Sequence, residues 1–137
     1  MATTYTILAD TVVLIHAAYV AFVIGGLAAI LIGAAMRWRW TRSLAFRVTH
    51  LAAIALVCLE SIVGAMCPLT SLEDWMRARG NAARYSDDFV AYWAHRMIFY
   101  NFPPWLFTIA YISFAILVAI TFIAIPPRWP SRTRHSF

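Results

Sequence analysis

A chain of 137 residues that is 63% hydrophobic and 12% charged lies far from the soluble average of roughly 45–50% apolar and about 25% charged residues. Its length leaves room for a single domain, residues 1–137, and its composition excludes an ordinary water-soluble one. The formal charge of +5 comes from eleven arginines, no lysine and six carboxylates, and arginines set beside apolar runs fit membrane orientation and lipid phosphate contact rather than nucleic acid.

The opening "MATTYTILAD" has no positive n-region, and no short apolar core with a small-residue cleavage site follows, so no removable signal is expected. Thr11 to Met36 carries only His16 as an ionisable group. At 1.5 Å per residue, roughly 20 residues cross a hydrocarbon core of about 30 Å, so a first span is expected over about residues 10–36. "MRWRWTRSLAFR" then supplies Arg37, Arg39, Arg42 and Arg47. A second span over about 46–66 is interrupted by His50 and Glu60, and a third, over about 103–126, has no charge at all. The tail adds Arg128, Arg132 and Arg134.

By the positive-inside rule both arginine clusters belong in the cytoplasm. Three crossings then place the N-terminus outside, residues 67–102 on the outer face and the C-terminus inside, with Trp38, Trp40 and Trp129 at the inner headgroup belt. "YSDDFVAYWAHRMIFYNFPPW" admits two readings. Its apolar run before Pro103 is only about 13 residues long and contains His95 and Arg96, which favours an amphipathic helix on the outer surface, capped by Ser86 with Asp87 and Asp88 behind it; a fourth span is the alternative. In "VGAMCPLTSLEDW", Pro68 is expected to stop the second span. Thr70 or Ser71 is expected to cap a short helix with Glu73 and Asp74 at its positive end and Gly80 as its stop.

The stretches "LADTVVLIHAAYVAFVIGG", "WRW" before "RVTHLAA", and "CPLTSLEDWMRARG" followed by "YSDDFVAYW" resemble the family called Domain of Unknown Function 2784, small bacterial membrane proteins. The resemblance covers most of the chain and implies the same architecture. It directs attention to Asp10, His16, Arg47, His50, Cys67, Thr70, Glu73 and Arg77, and it implies no activity.

Ionisable groups within spans are costly and are functional candidates by default. Counted along antiparallel helices, His16 and Glu60 lie at one depth, Glu60 about 9 Å from the outer end, so a structural clasp, a proton-handling pair or a metal pair can be drawn. His50 sits toward the other side of the bilayer, which removes a His16–His50 haem b. A haem b or quinone held by His16 and His95, with Glu60 nearby and an aromatic wall from Tyr85 to Trp105, remains as the alternative. No C-x-x-C-H motif is present, and Cys58 and Cys67, about 13 Å apart along a helix, form neither a disulfide nor a zinc motif. A nucleophilic Cys67 with His95 and Glu73 lacks motif support.

The expectation is an all-α transmembrane bundle in a bacterial inner membrane, three spans plus an outer-face amphipathic helix. No phosphate loop, hydrolase elbow or paired catalytic carboxylates occur. The leading functional reading is a non-catalytic accessory or interaction subunit, with the lipid bilayer and other membrane subunits or further copies as partners; the haem b or quinone protein is the runner-up.

Overall fold

The structure, a computed structural model, describes residues 1–82, 89–98 and 102–129. Five helices follow in order: α1 (Ala2–Met36), α2 (Leu44–Val63), α3 (Pro68–Arg79), α4 (Phe89–Ile98) and α5 (Pro104–Ala124), with a 3-10 turn at Trp40–Arg42 between α1 and α2. Three of them, α1, α2 and α5, are the described helices long and apolar enough to cross a membrane. At ten residues, α4 reaches only about 15 Å, half of what a crossing needs. The caps expected at Ser86, Asp87 and Asp88 lie outside the described residues, as do Arg84, Tyr85, Phe99, Tyr100, Arg132 and Arg134.

The first helix is longer than the span expected of it. Its 35 residues measure about 52 Å, so its first turns extend past a hydrocarbon core of about 30 Å. Nothing in Ala2–Asp10 breaks a helix, and α3 packs along one side of these turns. At the other end Arg37 adopts a left-handed conformation with φ 59°, and its N–H caps the Gly33 carbonyl.

The chain returns through the 3-10 turn because Gly33 lacks a side chain. A Cβ there would collide with Thr41, which is buried and donates its hydroxyl to the Trp38 carbonyl at 3.0 Å. The second helix stops at Val63, three residues before the expected end, because Gly64 takes the left-handed C-cap conformation at φ 69°. Pro68 then plays the opposite part from the one expected. It occupies the first position of α3, where its missing N–H is no loss and its fixed φ suits a helix start, and Cys67 is the N-cap residue. Thr70 and Ser71 are therefore inside α3 rather than capping it, and Glu73 and Asp74 fall beyond its first turn.

Helix α3 packs on α1, and α5 packs on α2. Between α1, α2 and α5 the core consists of Val23, Leu27, Ile54 and Val118, with Tyr19, Leu51, Val57 and Phe114 against it. Two side chains fasten α1 to α2 through backbone carbonyls: the Tyr19 hydroxyl donates to Ala53 at 2.6 Å and His50 Nε2 donates to Val23 at 2.7 Å. Ser61 donates to Thr108 Oγ1 at 2.9 Å and joins α2 to α5. His50 fits because Gly26 faces it without a Cβ, an instance of small residues admitting close approach between helices in lipid.

Gly26→Ala sets a methyl group against the His50 ring and is expected to cost about 1–3 kcal/mol, read as a lower unfolding midpoint in mild detergent. Gly25→Ala, where nothing lies within 4 Å, should change stability by no more than about 0.5 kcal/mol.

Candidate functional site

The buried polar side chains divide between the two ends of the bundle. At the end bearing Arg37 to Arg47, here the arginine end, the buried set is Thr41, Arg47, His50 and Thr121; at the other end it is His16, Thr70, Glu73 and Arg77. A polar group in hydrocarbon is tolerated where a partner satisfies it, so the partners decide what each group can do.

Arg47 stands in the first turn of α2 with 2% of its surface exposed. Its Nη2 donates to the Thr121 carbonyl of α5 at 2.6 Å, and its guanidinium lies 5.6 Å from the centre of the Phe122 ring. The Thr121 hydroxyl turns inward to the Val118 carbonyl at 2.7 Å. A strap completes this end. Arg42 reaches the Pro126 carbonyl through Nε and Nη2, at 3.4 and 3.2 Å, and the Arg128 N–H donates to the Arg42 carbonyl at 2.8 Å. His50, one turn below Arg47, is fully buried and edged by the Phe22 ring while Phe46 stacks on it.

The opposite cluster is built by one face of α3. Thr70, Glu73 and Arg77 recur at helical spacing and are 1%, 1% and 9% exposed. Arg77 is forked: Nε meets Glu73 Oε1 at 2.7 Å within α3, and Nη2 meets Asp10 Oδ1 of α1 at 3.0 Å. Ala9, fully buried, offers the small surface on α1, and a Cβ on Gly80 would press on Thr6. Beside this face Trp75 meets Tyr5 edge-on and carries the Arg79 guanidinium 4.4 Å from its ring centre. Burial pushes the Glu73 carboxyl above its ordinary value, and the bonded and charged Arg77 guanidinium partly restores it.

Cys67 adjoins this cluster. Burial is the main cause that pushes its thiol up, the Leu69 and Thr70 amides at the start of α3 pull it down, and the Glu60 carboxyl, through charge and a hydrogen bond with the thiol, pushes it up again. The thiol is thereby held protonated, the unreactive form. Glu60, half-buried, is also within electrostatic reach of Tyr19, one turn from His16 on α1. Glu60, Cys67 and Tyr19 therefore lie within electrostatic reach of one another. His95 is exposed on α4 while His16 is buried on α1. Among the described residues no group of three or more His, Cys, Asp or Glu side chains is arranged to hold a metal ion.

Two depressions accompany the clusters. A cleft of about 470 Å³ opens at the arginine end, with Arg37, Arg42, Arg128 and Trp38 in its wall. An apolar groove of about 200 Å³ between α1, α2 and α5 is lined by Tyr19, Ile24, Ile54, Tyr111 and Phe114 among others.

Thr41 and Thr121 are the buried polar positions that spacing and charge do not reveal. Arg47 uses the backbone carbonyl of Thr121, which any residue there would offer, so no sequence signal marks the position. Arg77→Met leaves the Glu73 carboxylate buried without its partner and should cost about 3–5 kcal/mol in chemical denaturation. Asp10→Asn, at a side chain 64% exposed, should cost less than about 1 kcal/mol. Because its folded pKa is raised, Glu73 favours folding below its ordinary value of 4.5, and that contribution is lost as pH rises through the folded value. The stability difference between wild type and Glu73→Gln should therefore decline as pH rises above 4.5 and then level; a difference independent of pH would refute the shift.

No curated protein and no solved structure matches this chain. A family model does, over residues 6–127, and those bounds take in both polar clusters, α2, α5 and all of α1 but its first four residues. The chain belongs to the family described as Protein of Unknown function (DUF2784).

Proposed function

We propose that the protein is a non-catalytic accessory or interaction subunit of a larger membrane complex, lodged in a bacterial inner membrane with its N-terminus outside and its arginine end in the cytoplasm. The contrast between the two kinds of surface supports this reading. Arg47, His50, Glu73 and Arg77 are bonded to other parts of the same chain, whereas the apolar spans remain largely uncovered. In the most apolar stretch of α5 only 11% of the residues are buried, and Ile109, Ile116, Ile120 and Ile123 are exposed. Helices in lipid associate through packing of such faces, and the groove beside Phe114 gives a partner helix a place to seat. The orientation is supported by the arginines alone, through the positive-inside rule.

A photo-crosslinking amino acid at Ile116 or Ile120 in native membranes is expected to yield a discrete adduct heavier than the chain. Smeared lipid adducts alone would contradict an interaction subunit. The visible spectrum of protein purified in mild detergent, before and after dithionite, should lack a Soret band; a band abolished by His16→Ala or His95→Ala would replace this reading with the haem b one. For orientation, in a variant lacking the native thiols, a membrane-impermeant maleimide should label Ala82→Cys in intact cells and reach Thr133→Cys only after lysis.

A further inference from the structure

The cleft at the arginine end is more than a gap between helix ends. Arg37 comes from the C-cap of α1, Arg42 from the 3-10 turn and Arg128 from the segment after α5, so three separate elements bring guanidinium-bearing residues to one depression. The wall is preorganised: Arg42 is held by its two bonds to Pro126 and by the Arg128 N–H on its carbonyl, and Gly33 in the lining lets Thr41 close on α1. Its volume of about 470 Å³ lies in the range of about 300–1,000 Å³ typical of small-molecule sites.

Among the described residues no carboxylate forms a salt bridge with these charges. The six acids of the chain are Asp10, Glu60, Glu73, Asp74, Asp87 and Asp88. The four described ones lie at the opposite end of the bundle, and both described salt bridges belong to Arg77. Arg37 and Arg128 are exposed, open to an anion from outside the chain. The setting selects its chemistry. Trp38 and Trp40 stack at 5.9 Å beside the cleft, as aromatic residues do at headgroup level, and the exposed Ile32, Met36 and Ile123 continue from it along α1 and α5. Arginine presents a planar fork that suits phosphate oxygens in pairs.

We propose that this cleft binds the phosphate of an anionic phospholipid, with Arg37 and Arg128 as its principal ligands, Arg42 as the fixed wall and the acyl chains lying over Ile32, Met36 and Ile123. A basic pocket between spans is suited to such headgroups. The lipid differs from free phosphate in its chains, which only the apolar flank can hold.

The test is native mass spectrometry of protein released from detergent micelles containing equal amounts of phosphatidylglycerol and phosphatidylcholine. Wild type should retain one phosphatidylglycerol preferentially. Arg37→Gln and Arg128→Gln should each lower its retention roughly five-fold and together more than twenty-fold, at about one surface contact per arginine. Arg39→Gln, exposed and outside the cleft wall, should leave it within about two-fold, as expected of a charge that touches no lipid. Circular dichroism establishes that each variant is folded, and if the double variant is not, the two single variants decide. Equal retention of both lipids by wild type, or an Arg39→Gln loss as large as that of Arg37→Gln, would overturn the site in favour of diffuse attraction. Displacement of the lipid by inorganic phosphate would overturn the lipid assignment.

Discussion

A guanidinium inside an apolar helix pair must find an acceptor, and the bond from Arg47 to the Thr121 carbonyl is where this protein meets that demand. An arginine at the centre of a span costs about 2.5–3.5 kcal/mol by insertion measurements, and more on an isolated helix. Arg47 avoids most of this by lying near the end of α2 and by donating to the Thr121 carbonyl of α5. The consequence reaches beyond one bond. Helix α5 is almost wholly apolar and lipid offers it no hydrophobic reason to stay against α2, so its position rests on Arg47, on Ser61–Thr108 and on the Arg42–Pro126 strap.

The same logic, with other residues, attaches α3 to α1. There the fastener is ionic: Arg77 grips Glu73 within its own helix and Asp10 across the gap. Glu73 is buried and Asp10 is open to solvent, so the intrahelical bond neutralises a charge that burial makes costly while the interhelical one sets register. The first turns of α1 lie beyond what a bilayer requires, and α3 packs against one side of them. Each end of the bundle is thus closed by a polar joint, and the apolar middle remains available to lipid or to another chain.

Much of this was legible in the residues. Hydrophobic length alone located three spans, since it reflects the solvent and not the partner. The ends were less legible. Thr70 reads as a cap because hydroxyls before acids commonly are caps, but Pro68 starts the helix two residues earlier and turns Thr70 inward. Gly64, with an unremarkable neighbourhood in the sequence, ends α2 by its left-handed conformation. His16, Arg47, His50, Thr70, Glu73 and Arg77, singled out by family resemblance, are six of the eight buried polar residues among those described. Thr41 and Thr121 escaped because Gly33, across a turn, and Arg47, 74 residues away, meet them only in the fold.

Hydrogen exchange of Arg47→Met in mild detergent, followed by mass spectrometry, tests the central claim that the two joints are separate and that this one holds α5. The account predicts faster exchange across α5 and the first turns of α2, with α3 and the turns of α1 beneath it unchanged. Exchange unaltered in α5, or accelerated equally in α3, would contradict it.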